Sequence, residues 1–141
     1  MSSDRNFLYS KIIFYSLSVT LLIGFFFNEE SSGSGGFIAD FNNTWEYVEV
    51  LKESFFVIPS KWVAHTPLHF IIISKVYMLV ESKYLIRLIF CLISILIPFL
   101  FYLCLKVNYP SEKKEHLLTL ASLTFLFPSF RSGAIWANDH I

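Results

Sequence analysis

The stretch "LIRLIFCLISILIPFLFYLCL", residues 85–105, decides the fold class. It runs for about twenty-one residues with a single arginine at its entrance, long enough for a helix to cross the roughly 30 Å of a bilayer core. That reading makes it a membrane span. Its internal Pro98 predicts a bend, tolerable where neighbouring helices satisfy the freed carbonyl. Cys91 and Cys104 lie inside the same run, where a thiol behaves as a small hydrophobe; they define neither a disulfide framework nor a metal site. Composition agrees: 141 residues, 55% apolar and 18% aromatic, with a mean hydropathy of +0.57, stand well above an ordinary soluble domain. Lysine plus arginine balance aspartate plus glutamate at 11 each. With no basic cluster interleaved with aromatics, nucleic acid is set aside as a partner.

Working towards the N-terminus, "IIFYSLSVTLLIGFFF" (12–27) carries no charge and, with residues 7–9, makes a span of about twenty residues. Lys11 would snorkel to the headgroups. No A-x-A-like cleavage site follows in "NEESSGSGG", so the segment reads as an uncleaved anchor. Arg5 and Lys11 before it, with Glu29 and Glu30 after it, put the N-terminus in the cytoplasm. Residues 28–66 then read as an external loop in which "SSGSGG" is linker chemistry. In the following stretch Phe41, Trp45, Val48 and Leu51 or Lys52 recur at helical spacing, with Glu46, Glu49 and Glu53 on other faces. This predicts an amphipathic helix along the membrane surface, ended by Pro59.

Between that helix and the opening stretch, "LHFIIISKVYMLV" (68–80) is short for a span and is interrupted by Lys75, as in an interfacial or re-entrant helix. Beyond the opening stretch, the polar hinge "KVNYPSEKKEH" leads into "LLTLASLTFLFPSF" (117–130), the start of a further membrane helix. "RSGAIWANDHI" (131–141) is polar enough to leave the bilayer. The expected fold is therefore all-α: polytopic membrane helices, about three spans, with an external juxtamembrane helical loop between spans 1 and 2. The chain reads as one incomplete membrane domain, with an N-terminal span (1–27), an external loop with interfacial helices (28–84), two further spans (85–130) and an external stub (131–141). A fourth span results if 68–80 crosses. Charge bias does not separate the two topologies, and length favours three.

With three spans, Asp40 and Asp139 face one external compartment near the headgroups, and two carboxylates from separate segments can converge. A carboxylate there can act as general base towards an acceptor hydroxyl or amine. The competing reading of Asp40 is a helix N-cap, and that of Asp139 a solvated loop residue. His65 and His69 are four apart and share a face only if a helix starts near Thr66. No H-E-x-x-H pattern accompanies them, so a phosphate contact, shared with Lys61 or Arg131, is preferred to a metal pair. Taken in isolation, Lys61 and Trp62 read first as interfacial anchors. Gly-rich phosphate loops, G-x-S-x-G and zinc patterns are absent from the sequence.

Taken in order, "HTPLHF" (65–70) and "ESKYLIRL" (81–88), followed by a basic hinge and a span ending in "FPSFRS" (127–132), resemble the N-terminal part of the GT-C membrane glycosyltransferases. This polyprenyl-phosphate-sugar-dependent group includes aminoarabinose transferases and protein mannosyltransferases. Threonine replaces the first proline of the family's His-Pro-Pro element, and histidine its first tyrosine. The resemblance implies transfer of a sugar from a polyprenyl-phosphate donor to a lipid, glycan or protein acceptor at the external face of a bacterial inner membrane. It implies Asp40 as catalytic base and Asp139 as a second acidic group, binding acceptor or an assisting metal. Lys61, His65 and Arg131 would contact the donor phosphate, with His69 and Tyr47 lining the substrate site. The cofactor stays open, a divalent metal or none, with no nucleotide site. Membrane lipid and the missing remainder of a larger enzyme are the expected partners. The alternative is a small non-enzymatic integral membrane protein or accessory subunit that binds a larger partner through its aromatic-rich loop.

Overall fold

A computed structural model describes residues 2–29, 36–53 and 67–137. Among them the fold is all-helical, in the order α1 (Ser2–Phe26), α2 (Gly36–Glu53), α3 (Pro67–Val80), α4 (Lys83–Ser94), α5 (Leu96–Asn108), α6 (Lys114–Ser122), a 3₁₀ turn (Leu123–Leu126) and α7 (Pro128–Trp136). Two helices are long and apolar enough to cross a membrane: Arg5–Phe26 within α1, and α4 with α5 over Lys83–Asn108. At 22 and 26 residues and 1.5 Å per residue they reach about 33 and 39 Å. By contrast α3, with 14 residues, reaches only about 21 Å.

Local chemistry explains the ends of these elements. At the close of α1 the Glu29 N–H donates to the Gly24 carbonyl (2.8 Å) and the Asn28 N–H to that of Phe25 (3.1 Å), a Schellman closure with Asn28 left-handed at φ 53°. Asparagine is the usual alternative to glycine there. Between α4 and α5 the helix breaks only at Ile95, because Pro98 supplies no N–H to the Ser94 carbonyl and its ring crowds that turn. The expected bend is thus reduced to a one-residue interruption. Ser82 caps α4, its hydroxyl accepting from the Leu85 N–H at 3.3 Å.

Three expectations need correction. Helix α2 begins at Gly36, so position 40 lies inside the helix and is not its N-cap; the helix also stops at Glu53, and Pro59 lies outside the described residues. The apolar stretch 117–130 is not one helix: Pro128 cannot continue the ladder, Phe127 is extended (φ −71°, ψ 121°), and α7 starts afresh with proline in its first turn. Finally, the polar-looking 131–136 is not a solvated stub. It forms most of α7, and Ser132 to Trp136 are buried.

Helices α1 and α6 run parallel. Near their starts the Ser10 hydroxyl donates to the Glu115 carbonyl (3.0 Å); midway Phe14 meets Phe125 edge-on at 5.3 Å; at the far end Arg131 reaches Glu29 at 2.7 Å. The α4–α5 pair runs antiparallel to α1, since Tyr84 lies against Phe25 with ring centroids 5.1 Å apart. Segment 28–84 therefore leaves and re-enters this helix group at the same end. There α2 packs its Phe41, Trp45, Val48 and Leu51 face inward, as the spacing predicts, against α3 and α7.

Gly24 is the tight point of the α1–α7 seam. A Cβ there would collide with the Glu29 carboxylate and stand 3.0 Å from an Arg131 nitrogen. Although both are ends of flexible side chains, their mutual pairing removes the freedom to step aside. Gly24→Val should lower the stability of the detergent-solubilised chain by about 1–3 kcal/mol, as overpacking does, measured by thermal unfolding. An unchanged or raised midpoint would contradict the close approach.

Candidate functional site

Five elements meet at one end of the bundle: the close of α1, the buried aromatic side of α2, α3, the start of α4 and α7. Arg131 forms a fork with Glu29 there. Its Nε donates to Oε1 at 2.7 Å and its Nη2 to Oε2, the planar bidentate geometry that guanidinium favours. Nη1 donates to the Thr20 hydroxyl and the Phe125 carbonyl, both at 3.2 Å, and Nη2 also to the Thr20 carbonyl at 3.1 Å. The Phe125 carbonyl is available because the helix breaks just beyond it.

Arg87 occupies a different environment. It is 8% exposed, and its guanidinium lies over Trp136 at 3.8 Å from the ring centroid, with Phe25 at 5.3 Å and Phe41 at 5.9 Å. Nε donates to the Ile135 carbonyl and Nη2 to Asn28 Oδ1, each at 3.0 Å. No carboxylate forms an ion pair with it among the described residues. The cation is instead held by aromatic faces and neutral oxygens, an arrangement suited to guanidinium, which is weakly hydrated and stacks well. The left-handed Asn28 thus closes α1 and anchors Arg87.

Trp136 links the two arginines. Its Nε1 donates to the Glu29 carbonyl at 3.0 Å while its face carries Arg87. The next residue, Ala137, is left-handed (φ 52°, ψ 43°), a conformation that disfavours a Cβ by about 1–2 kcal/mol. Its carbonyl faces His69 Nε2 at 3.1 Å. Because a carbonyl only accepts, Nε2 carries the proton. The His69 ring also meets Phe90 edge-on at 5.5 Å.

Of the residues expected to carry chemistry, Arg131 and His69 reach this end, Arg131 in the first turn of α7 and His69 against the Ala137 carbonyl that follows its last turn. Tyr47 sits on α2 against Phe70, 5.5 Å between centroids, next in chain to His69. Asp40 is on α2 by its backbone, immediately before Phe41, whose ring lies 6.0 Å from Trp136. Lys61, His65 and Asp139 lie outside the described residues, so the convergence of Asp40 with Asp139 does as well. Sequence reasoning passed over Asn28, Glu29, Arg87 and Trp136. An uncapped apolar run ending in Asn, and an arginine one turn inside a span, were the available signals. Among the described residues no three His, Cys, Asp or Glu side chains gather to hold a metal.

Compared with known proteins, the chain matches no family model, no curated protein and no solved structure.

The side chains of Arg131 and Glu29 are 13% and 31% exposed, between the limits where ion pairs are worth little and where breaking one is severe. A double-mutant cycle with Glu29→Gln and Arg131→Gln should return a coupling energy of about 0.5–3 kcal/mol, read from unfolding in detergent. Additive single effects would mean that the fork does not hold the seam.

Proposed function

We propose that the chain is an integral membrane protein whose α1, α4–α5 and α6–α7 cross the bilayer, and that its arginine-rich end is the external site of a polyprenyl-phosphate-dependent sugar transferase. The observation that carries the membrane part is the apolar surface that the two long helices leave uncovered. Only 28% of each spanning-length window is buried, and Leu8, Ile12, Val19, Ile23, Leu92, Ile93, Leu96, Leu100 and Phe101 point outward. Inside, Ser10, Ser18, Ser94, Ser122, Ser132 and Ala134 are buried beside Phe14, Leu21, Phe25 and Phe125. A soluble core helix would be mostly covered, whereas lipid-exposed helices keep small residues for their seams.

The transferase part is supported by the chemistry of the end where segment 28–84 leaves and returns. A polyprenyl phosphate is already a good leaving group, so the protein needs cationic and hydrogen-bonding groups for the phosphate and a base for the acceptor. Arg87, Arg131 and His69 supply the first kind of group, and Lys61 and His65 belong to the segment tethered there. Asp40 is the base in this reading, activating an acceptor hydroxyl or amine, and Asp139 binds the acceptor. The prenyl chain would lie along the exposed apolar faces.

A non-enzymatic accessory role is the second reading, and one observation favours it: Arg131 already has all its donors engaged by Glu29, Thr20 and Phe125. Such a cation serves folding first. Topology and chemistry separate the readings. With Cys91 and Cys104 replaced by serine, single cysteines at Asn43 and Asn138 should label from outside and one at Ser111 should not. Labelling of Ser111 from outside would overturn the proposed topology. In membranes supplied with undecaprenyl-phosphate sugars, Asp40→Asn should reduce transfer by about 10²-fold or more, as loss of a general base does. An accessory protein would show no transfer before or after that change, and would lose association on Phe41→Ala or Trp45→Ala.

A further inference from the structure

At the opposite end of the bundle, the N-terminal parts of α1 and α6 flank an open polar cavity of about 240 Å³ lined by Asn6, Tyr9, Ser10, Glu115, His116 and Thr119. That is several times a water molecule's share of liquid volume, about 30 Å³. Glu115 is only 7% exposed, yet its carboxylate makes no hydrogen bond or ion pair among the described residues. The hydroxyls beside it are turned to other work. Ser10 Oγ donates to the Glu115 backbone carbonyl at 3.0 Å, and Thr119 Oγ1 lies 2.8 Å from that carbonyl and 3.0 Å from Ser10 Oγ. A carboxylate at the second position of a helix is favoured by the helix dipole. The dipole accounts for an acidic residue here but gives no hydrogen-bond partner to a side chain so little exposed.

We propose that this cavity binds a primary ammonium group, presented by the headgroup of an aminophospholipid such as phosphatidylethanolamine. One buried carboxylate matches one monovalent cation. Besides the His116 imidazole, the remaining wall offers neutral oxygens, the Tyr9 hydroxyl, the Asn6 amide and the Ser10 and Thr119 lone pairs, for the three N–H donors of an ammonium. A divalent ion would want more carboxylate than the site holds, consistent with no cluster of three acidic, His or Cys ligands among the described residues. A quaternary ammonium brings no N–H donor and prefers an aromatic cage, whereas Tyr9 is the one Phe, Tyr or Trp side chain lining this cavity. Exposed Lys113 and Lys114, next in chain to Glu115, supply cations for the adjoining phosphate. The lipid as source rests on the membrane reading above, which puts the start of the Arg5–Phe26 stretch at headgroup depth.

The test uses the purified full chain in detergent, with native mass spectrometry of retained lipid. Phosphatidylethanolamine, its mono- and dimethyl derivatives and phosphatidylcholine, all of one chain composition, are offered in competition. Retention should fall with each N–H lost, by about ten-fold across the series, as expected for a hydrogen bond to a charged group, and Glu115→Gln should level it. Equal retention across the series in the unaltered chain overturns the proposal, and that arm needs no variant to fold. Soluble ethanolamine, tested by thermal shift, separates the sources. Stabilisation by ethanolamine equal to that by the lipid overturns the lipid source. Flotation of the chain with vesicles is scored separately: a chain that does not float yet still binds ethanolamine through Glu115 refutes the membrane reading and the lipid source together, and leaves the ammonium site standing.

Discussion

The fork between Arg131 and Glu29 is the constraint on which the bundle depends. It joins the last residue of the α1 closure to the first turn of α7, and its other donors reach a carbonyl on each of those flanks. Each contact has a structural precondition. Glu29 can face inward because Asn28 takes a left-handed conformation; the helices can approach because residue 24 is glycine; the Phe125 carbonyl can accept because Pro128 ends the preceding ladder. Remove any of these and a guanidinium is left in the seam with fewer partners. What reads in isolation as a broken helix is thereby matched to the group that satisfies it.

The same economy explains Arg87 and Trp136. Burying a guanidinium is unfavourable unless its donors and charge are answered. Here the answer comes from aromatic faces, a backbone carbonyl and the amide of Asn28, with no carboxylate among the described residues. Trp136 then uses its indole N–H on the Glu29 carbonyl, so both cations are referred to one short stretch, Asn28 and Glu29. That coupling fixes the end of α1 against α4 and α7 together, and α2 adds its Phe41 ring to the outer side of the same box.

Much of the helical content was legible in the sequence because it is written in periodicity. Phe41, Trp45, Val48 and Leu51 were expected on one face of a helix, and all four are buried. The long apolar runs likewise became α1 and α4–α5. The candidate site was less legible, because polarity by residue type is a poor guide to whether a polar atom is satisfied. Residues 131–136 looked solvated, yet Arg131 has a complete set of acceptors and Ser132, Gly133 and Ala134 are small enough to pack closely. Glu29 looked like a topological charge, and only the fold reveals its partner 102 residues away. The start of α2 was missed for another reason: a glycine-rich run signals a flexible linker, but Gly36 at the first position costs a helix little.

Buried serines show how such a bundle can hold together where water is scarce. Ser18 returns its hydroxyl proton to the Phe14 carbonyl at 2.9 Å, and Ser122 does the same to Leu118 at 2.7 Å. Each is satisfied within its own helix and presents only a small surface to the neighbour. These small residues lie among buried Phe14, Leu21, Phe25 and Phe125, while other large apolar side chains of α1 and α4–α5 face outward. In lipid, outward Leu, Ile and Phe lose nothing by facing acyl chains, and small residues in the seams let the helices approach. The two polar ends then carry the charge, arginines with Asn28 and Glu29 at one and the Glu115 cavity at the other. The apolar middle separates them by the length of α1.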